Sequence, residues 1–170
     1  MMELGYHWFP GHGMVPAAMP PLPAIFPLRL REARGGGAHV LLVEDDPAIA
    51  EMYRVQLEHD GYAVSVATTG ELAFASLADR EPDLVLLDLL LPDRSGFEVL
   101  ASLNERFPSH PPVVILSNYG EPSMMDRGRS LGAVEYLVKS RVTPAEISDR
   151  IPMWIEQGHR GGQTGGRPES

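Results

Sequence analysis

Asp83-Leu84-Val85-Leu86-Leu87-Asp88-Leu89-Leu90-Leu91-Pro92 is the stretch that decides the fold of this chain. Leu84 to Leu87 is a short, continuous apolar run without polar alternation, which suits a strand buried on both faces in the middle of a parallel sheet. The run stops at a carboxylate, Asp88. Pro92 and Gly96 follow closely, so the chain leaves the strand into a loop. A lone acid at the carboxyl end of a central strand costs free energy unless something there needs it. In open α/β sheets that edge is where ligands bind.

The same grammar repeats on either side. Upstream, His39 to Val43 reads as a short apolar strand ending at Glu44-Asp45-Asp46. Pro47 then opens a helix at a favoured early position, with Ile49, Met52, Tyr53 and Leu57 at helical spacing, and Asp60-Gly61 ends it. Tyr62 to Ala67 alternates as a second strand. Thr69-Gly70 leads into a helix carrying Leu72, Ala73, Leu77 and Ala78, closed by Pro82. Downstream, Phe97 to Phe107 forms a helix with Val99, Leu100 and Leu103 on one face, stopped by Pro108 to Pro112. Val113 to Leu116 is a buried-type strand ending at Ser117-Asn118-Tyr119. Glu121 to Gly132 is a weaker helix that Gly128 is expected to interrupt. Val134 to Val138 is a fifth strand, ending at Lys139. Thr143-Pro144-Ala145-Glu146 has the spacing of a capping box. The helix it opens carries Ile147, Ile151, Trp154 and Ile155, and Pro152 is expected to kink or split it.

Five strand–helix alternations predict an α/β fold, a doubly wound five-stranded parallel sheet with helices on both faces. Periodicity leaves the strand order open. The foldable part is residues 38–158. Residues 1–37 form a Pro/Gly-rich leader expected to be disordered, and residues 159–170 a second, polar tail. Trp8, Phe9 and Phe26 leave a docking motif in the leader open beside the plainer reading of a weakly constrained segment. Of the 170 residues, 44% are hydrophobic, enough for a real core, and the net charge of −9 argues against a nucleic-acid footprint. The absence of cysteine excludes disulfides, thiolate zinc sites and Cys nucleophiles. No apolar run reaches the length of a membrane span, and the start lacks the cationic region of a signal peptide. A cytoplasmic protein is the expectation.

Four of the five strands end on chemistry: Glu44 and Asp45, Asp88, Ser117, and Lys139. Carboxyl ends of parallel strands point the same way, so these groups should meet in one cleft. The acids repel one another if left alone. A hard cation such as Mg²⁺, which takes a few carboxylate oxygens and keeps several waters, resolves this. Ser117 supplies a hydroxyl and Lys139 a positive point charge. Grouped around a carboxylate nucleophile, these are the parts phosphoryl transfer needs.

Val43-Glu44-Asp45-Asp46, Asp88-Leu89-Leu90-Leu91-Pro92 with Gly96, Ser117, and Tyr136 ahead of Lys139 together resemble the CheY-like receiver domain of bacterial response regulators. The resemblance covers residues 38–158 and implies a flavodoxin-like sheet order of 2-1-3-4-5. It implies that Asp88 is the phospho-acceptor, taking a phosphoryl group from a histidine kinase or a histidine phosphotransfer protein. It implies Mg²⁺ held by Asp88, by Asp45 directly, by Glu44 through water and by the backbone carbonyl of Leu90, with Asp46 solvated. Ser117 is then the switch hydroxyl, Lys139 the phosphate-binding lysine, and Tyr136 the aromatic that changes rotamer and moves into the space Ser117 vacates. Chemistry would be limited to Mg²⁺-dependent self-phosphorylation from phosphodonors and slow autodephosphorylation. Too little chain follows Gly158 for a DNA-binding domain. A stand-alone receiver is therefore expected, with no direct DNA binding and no membrane contact. Its output would pass to a downstream protein effector, or to a homodimer through the fourth helix, fifth strand and fifth helix.

Two positions depart from the family pattern. Asn118 replaces a small residue after the switch hydroxyl. Ser140 replaces the usual proline after the lysine, so that bond is expected to be trans. Leu90 and Tyr119 flank the acceptor, and both are bulky and poor at activating water, which points to a long-lived acyl phosphate. Two other readings stand beside this one: a receiver-fold binding module that works without phosphorylation, and a small Mg²⁺-dependent aspartyl phosphohydrolase. Against the second, the first strand gives Glu-Asp-Asp rather than Asp-x-Asp, and the better nucleophile lies on the third.

Overall fold

Short β-branched and leucine runs bounded by Gly, Pro and acids become strands, and the amphipathic stretches between them become helices. The computed structural model describes residues 6–9, 13–16 and 36–161. The chain divides into two units. The first, residues 1–31, holds one antiparallel pair, Tyr6–Phe9 with Gly13–Pro16, which includes Trp8 and Phe9 of the leader. Phe26 and the tail from residue 162 lie outside the described residues.

The second unit, residues 32–170, carries the α/β body. Its strands are β1 (His39–Val43), β2 (Ala63–Ala67), β3 (Leu84–Asp88), β4 (Val113–Ser117) and β5 (Glu135–Val138). They pair in parallel in the order β2-β1-β3-β4-β5, the 2-1-3-4-5 arrangement expected. The helices are α1 (Pro47–His59), α2 (Gly70–Asp79), α3 (Gly96–Arg106), α4 (Pro122–Ser130) and α5 (Pro144–Gly161). Every residue of β1, β3 and β4 is buried, so these central strands lack polar alternation because both faces are covered.

Strand side chains alternate between faces, and each face has its own core. Leu41, Val43, Val85 and Leu87 join Phe74 of α2 and Phe97, Leu100 and Leu103 of α3 on one side. Val40, Leu42, Leu84 and Leu86 join Tyr53 and Leu57 of α1 and Ile147, Ile151 and Trp154 of α5 on the other. Each fully buried aliphatic side chain contributes roughly 1.5–3 kcal/mol relative to exposure.

Several local expectations are corrected. Gly128 does not interrupt α4; it is buried, and a Cβ there would stand 2.8 Å from Ile115 Cδ1 and 3.0 Å from Tyr136 Cδ2. The glycine is where the helix comes close to the sheet. Pro152 does not split α5. A proline deprives the carbonyl four residues back of its donor, and here the hydroxyl of Tyr62 donates to that Ser148 carbonyl at 3.2 Å. Met52 and Leu72 are exposed, and the inward positions beside them belong to Ala50 and Phe74. Ala78 is exposed as well. The capping box expected at α5 is present: Thr143 N–H donates to Glu146 Oε2 at 2.7 Å, and Glu146 N–H to Thr143 Oγ1 at 3.2 Å.

Candidate functional site

Parallel pairing brings Val43, Asp88, Ser117 and Val138 to one edge: Val43 lies opposite Leu87, Asp88 opposite Leu116, and Ser117 opposite Val138. Glu44 and Lys139 are the next residues beyond β1 and β5. The acids and the lysine thus converge because each ends a strand of the same sheet.

Carboxylate oxygens of Glu44, Asp45 and Asp88 all lie within 4.8 Å of one another. Glu44 is 2% exposed and Asp88 7%, whereas Asp45 is exposed. Burying two acids side by side would be costly without a cation. Lys139 supplies it: its Nζ pairs with the Glu44 carboxylate and lies 3.2 Å from Asp88 Oδ2. Burial works to lower the Lys139 pKa, but the hydrogen bond the ammonium donates to Glu44 and the charges of Asp88 and Glu44 outweigh it, so the ammonium is held above its ordinary value. Burial also pushes Glu44 up. The neighbouring Asp88 charge adds to this, and the Lys139 contact offsets it only in part. The lysine, read from sequence as a positive point charge, is therefore a bridge between two acids.

The remaining acid of the run, expected to be solvated, is exposed but has a local task. Asp46 is the N-cap of α1, and its Oδ1 accepts from Ala48 N at 2.9 Å and Ile49 N at 3.0 Å. This cap points the chain out of β1 and leaves Glu44 and Asp45 at the cleft.

The loop after Asp88 is tightly built. Leu90 N–H donates to Asp88 Oδ1 at 3.3 Å, Gly96 N–H donates to Leu89 O at 2.9 Å, and Leu90 and Ser95 form an isolated antiparallel bridge. A Cβ on Gly96 would lie 2.3 Å from the Asp88 carbonyl oxygen and 2.8 Å from Leu89 Cα. Only glycine permits that approach. Leu90 itself is 56% exposed and Tyr119 42%.

Ser117 is fully buried, and its Oγ accepts from Tyr119 N–H at 3.1 Å. The carbonyl of the same Tyr119 accepts from the Tyr136 hydroxyl at 2.8 Å. Tyr136 is 2% exposed, and Ser117 and Tyr136 meet through one residue of backbone. No cis peptide bond occurs among the described residues, so the bond between Lys139 and Ser140 is trans, and Lys139–Arg141 forms a single 3₁₀ turn.

Three carboxylates with no sulfur or imidazole donor among them form a hard oxygen set, which fits a cation of the Mg²⁺ type rather than zinc or copper. Sequence reasoning missed Asp93 and Arg94. Asp93, in the loop after β3, accepts from Gly70 N at 2.9 Å and Glu71 N at 3.1 Å. The Gly70 bond foremost holds its carboxyl below the usual carboxylate range. No spacing rule links residues so far apart in the chain.

Residues 40–152 match the family model described as the response regulator receiver domain. The chain is 37% identical over 119 residues to the phosphate regulon transcriptional regulatory protein PhoB of Rhizobium meliloti (strain 1021), covering 69% of this chain and 52% of that protein. It is 34% identical over 112 residues to the probable transcriptional regulatory protein TcrX of Mycobacterium tuberculosis, covering 65% and 47%. The chain thus spans about half the length of these curated relatives. Among solved structures, a CheY-like receiver domain protein from Methanospirillum hungatei JF-1 superposes with a TM-score of 0.67 at 26% identity, covering 74% of this chain and 99% of that one. The BeF3-activated N-terminal receiver domain of RstA from Klebsiella pneumoniae gives a TM-score of 0.65 at 28% identity, covering 70% and 99%. With the family model spanning most of the α/β body, this chain belongs to the receiver domain family of two-component response regulators.

Proposed function

We propose that the protein is a phosphoacceptor receiver that takes a phosphoryl group onto Asp88 from a histidine kinase or a histidine phosphotransfer protein. The observation that carries the reading is the Asp88 carboxylate at the mouth of a buried strand, 3.2 Å from the Lys139 ammonium and beside Glu44 and Asp45. In the transfer an Asp88 oxygen attacks phosphorus, the new O–P bond forms as the P–N bond of the donor breaks, and the electron pair leaves on the imidazole nitrogen. Lys139 balances charge on the phosphoryl oxygens. Mg²⁺ would be held by Asp45, Asp88 and the Leu90 carbonyl, with Glu44 acting through water, and would supply further neutralisation of that charge.

The phosphoryl group adds about −1.5 to −2 charge units at Asp88. It draws the Ser117 hydroxyl toward it. Because Tyr119 backbone links Ser117 to Tyr136, that movement reaches the face made by α4, β5 and α5. This face is where a downstream protein effector or a second copy would read the state. Leu90 and Tyr119, both half out in solvent, shield the acyl phosphate and lengthen its life. Among the described residues no helix is long and apolar enough to cross a membrane, and a cytoplasmic setting, without direct DNA binding by this domain, goes with the reading.

The test is incubation with acetyl phosphate and Mg²⁺ followed by intact-mass measurement. Wild type should gain one phosphoryl group and Asp88→Asn none. No gain in wild type with excess metal overturns the function, and an undiminished gain in Asp88→Asn overturns the site.

A further inference from the structure

The loop between Asp88 and Gly96 is moored at its tip to a different helix. Its base is closed by the Gly96 N–H to Leu89 O bond and by the Leu90–Ser95 bridge. Its tip reaches the start of α2. The first N–H groups of a helix have no partner inside it. In α2, Thr69 Oγ1 takes Leu72 N at 3.1 Å, while Asp93 takes the two before it, Gly70 N with Oδ1 and Glu71 N with Oδ2. Arg94 adds a second tie, with Nε 3.1 Å from Asp93 Oδ2, Nη2 3.2 Å from Glu71 Oε2, and the guanidinium 5.4 Å from the centroid of Phe74. The fit is close: a Cβ on Gly70 would lie 2.7 Å from Arg94 Cδ. The loop between Asp88 and Gly96 is therefore held at both base and tip, and Leu90 sits at the base, bridged to Ser95.

We propose that Asp93 is a positioning residue for the metal site: its bond to the start of α2 fixes the loop so that the Leu90 carbonyl and the Asp88 carboxylate are presented together to Mg²⁺. This inference rests on the function proposed above. It acts through backbone and not through contact with the ion. Partners that orient metal-binding groups are worth about tenfold or more in metal affinity.

Thr69 provides the control, because its hydroxyl caps the same helix at Leu72 N and makes no hydrogen bond to the loop. Mg²⁺ binding is measured by titration calorimetry on wild type, Asp93→Ala, Asp93→Asn and Thr69→Ala, at a temperature where melting curves show each variant folded. Asp93→Ala should weaken Mg²⁺ about tenfold, and Asp93→Asn, which keeps one acceptor oxygen, should fall between it and wild type. Thr69→Ala should lower the melting temperature but leave Mg²⁺ affinity within about twofold of wild type, as expected of a cap that acts on stability alone. In acetyl phosphate labelling, Asp93→Ala should need more Mg²⁺ for half-maximal rate and reach the wild-type rate at saturation. Unchanged Mg²⁺ affinity in Asp93→Ala, or an equal loss in Thr69→Ala, overturns the proposal. Wild type that binds no Mg²⁺ overturns the function itself, a separate and distinguishable result.

Discussion

Replacing Lys139 by Met removes the only ammonium from between two buried acids and keeps most of the side-chain volume. The Lys139 Nζ to Asp88 Oδ2 distance of 3.2 Å corresponds to a gross attraction of about 5 kcal/mol at an effective dielectric of 20. The contact with Glu44 adds to this, and the desolvation of the ammonium subtracts. Because the acids stay behind, the net loss follows the pattern of a broken buried pair, about 3–5 kcal/mol at pH 7.5. With a urea m-value near 2 kcal/mol/M, that lowers the unfolding midpoint by about 2 M. The loss has a pH signature. Burial and Asp88 already push Glu44 up, and without the lysine this push grows. An acid whose folded pKa is raised loses stability as pH climbs from its unfolded to its folded value, so the variant should be hurt less at pH 5 than at pH 7.5. Mg²⁺ should restore part of the loss: a concentration ten times the dissociation constant returns about 1.4 kcal/mol. Urea unfolding of wild type and Lys139→Met at the two pH values, with and without Mg²⁺, reads all of this. Equal midpoints at pH 7.5, or a loss of the same size at pH 5, would refute the electrostatic account of the cleft.

Gly96→Ala should lower stability by about 1–3 kcal/mol or more, because the new methyl meets the Asp88 carbonyl and Leu89 Cα, which are backbone and cannot swing aside; a wild-type urea midpoint would contradict this. Tyr62→Phe should cost about 1–3 kcal/mol by leaving the Ser148 carbonyl without the donor that Pro152 cannot supply, and in a double-mutant cycle Pro152→Ala should recover part of it, so additive effects would contradict the pairing. His39 is held below its ordinary pKa, first by burial and then by Arg80, against the pull of Asp83. The unfolded chain therefore binds the extra proton more readily. Stability should be full above pH 6.5 and decline below it, and His39→Gln should flatten that decline in urea titrations at stepped pH.

The sequence alone determined the class of fold, the sheet edge where the charged groups meet and the residues gathered there. Leu84 to Leu87 and Val113 to Leu116 are apolar without alternation, and only strands covered on both faces need that. Asp88, Ser117 and Lys139 each follow such a run, and parallel strands carry their carboxyl ends to one side. These are properties of consecutive residues, so a linear reading finds them. Tertiary structure alone decided what depends on distant neighbours. Gly128 reads as a helix breaker until Ile115 and Tyr136 are seen against it, and Pro152 reads as a break until Tyr62 supplies the missing donor. Whether Lys139 floats or bridges Glu44 and Asp88, and whether Asp93 is a loop acid or the tether of α2, turns on contacts between segments far apart in the chain. Hydrophobic periodicity records which face of an element is buried. It does not record which polar atom from elsewhere meets a given carbonyl or N–H, because a hydrogen bond is short and directional and is fixed only once the chain has closed on itself.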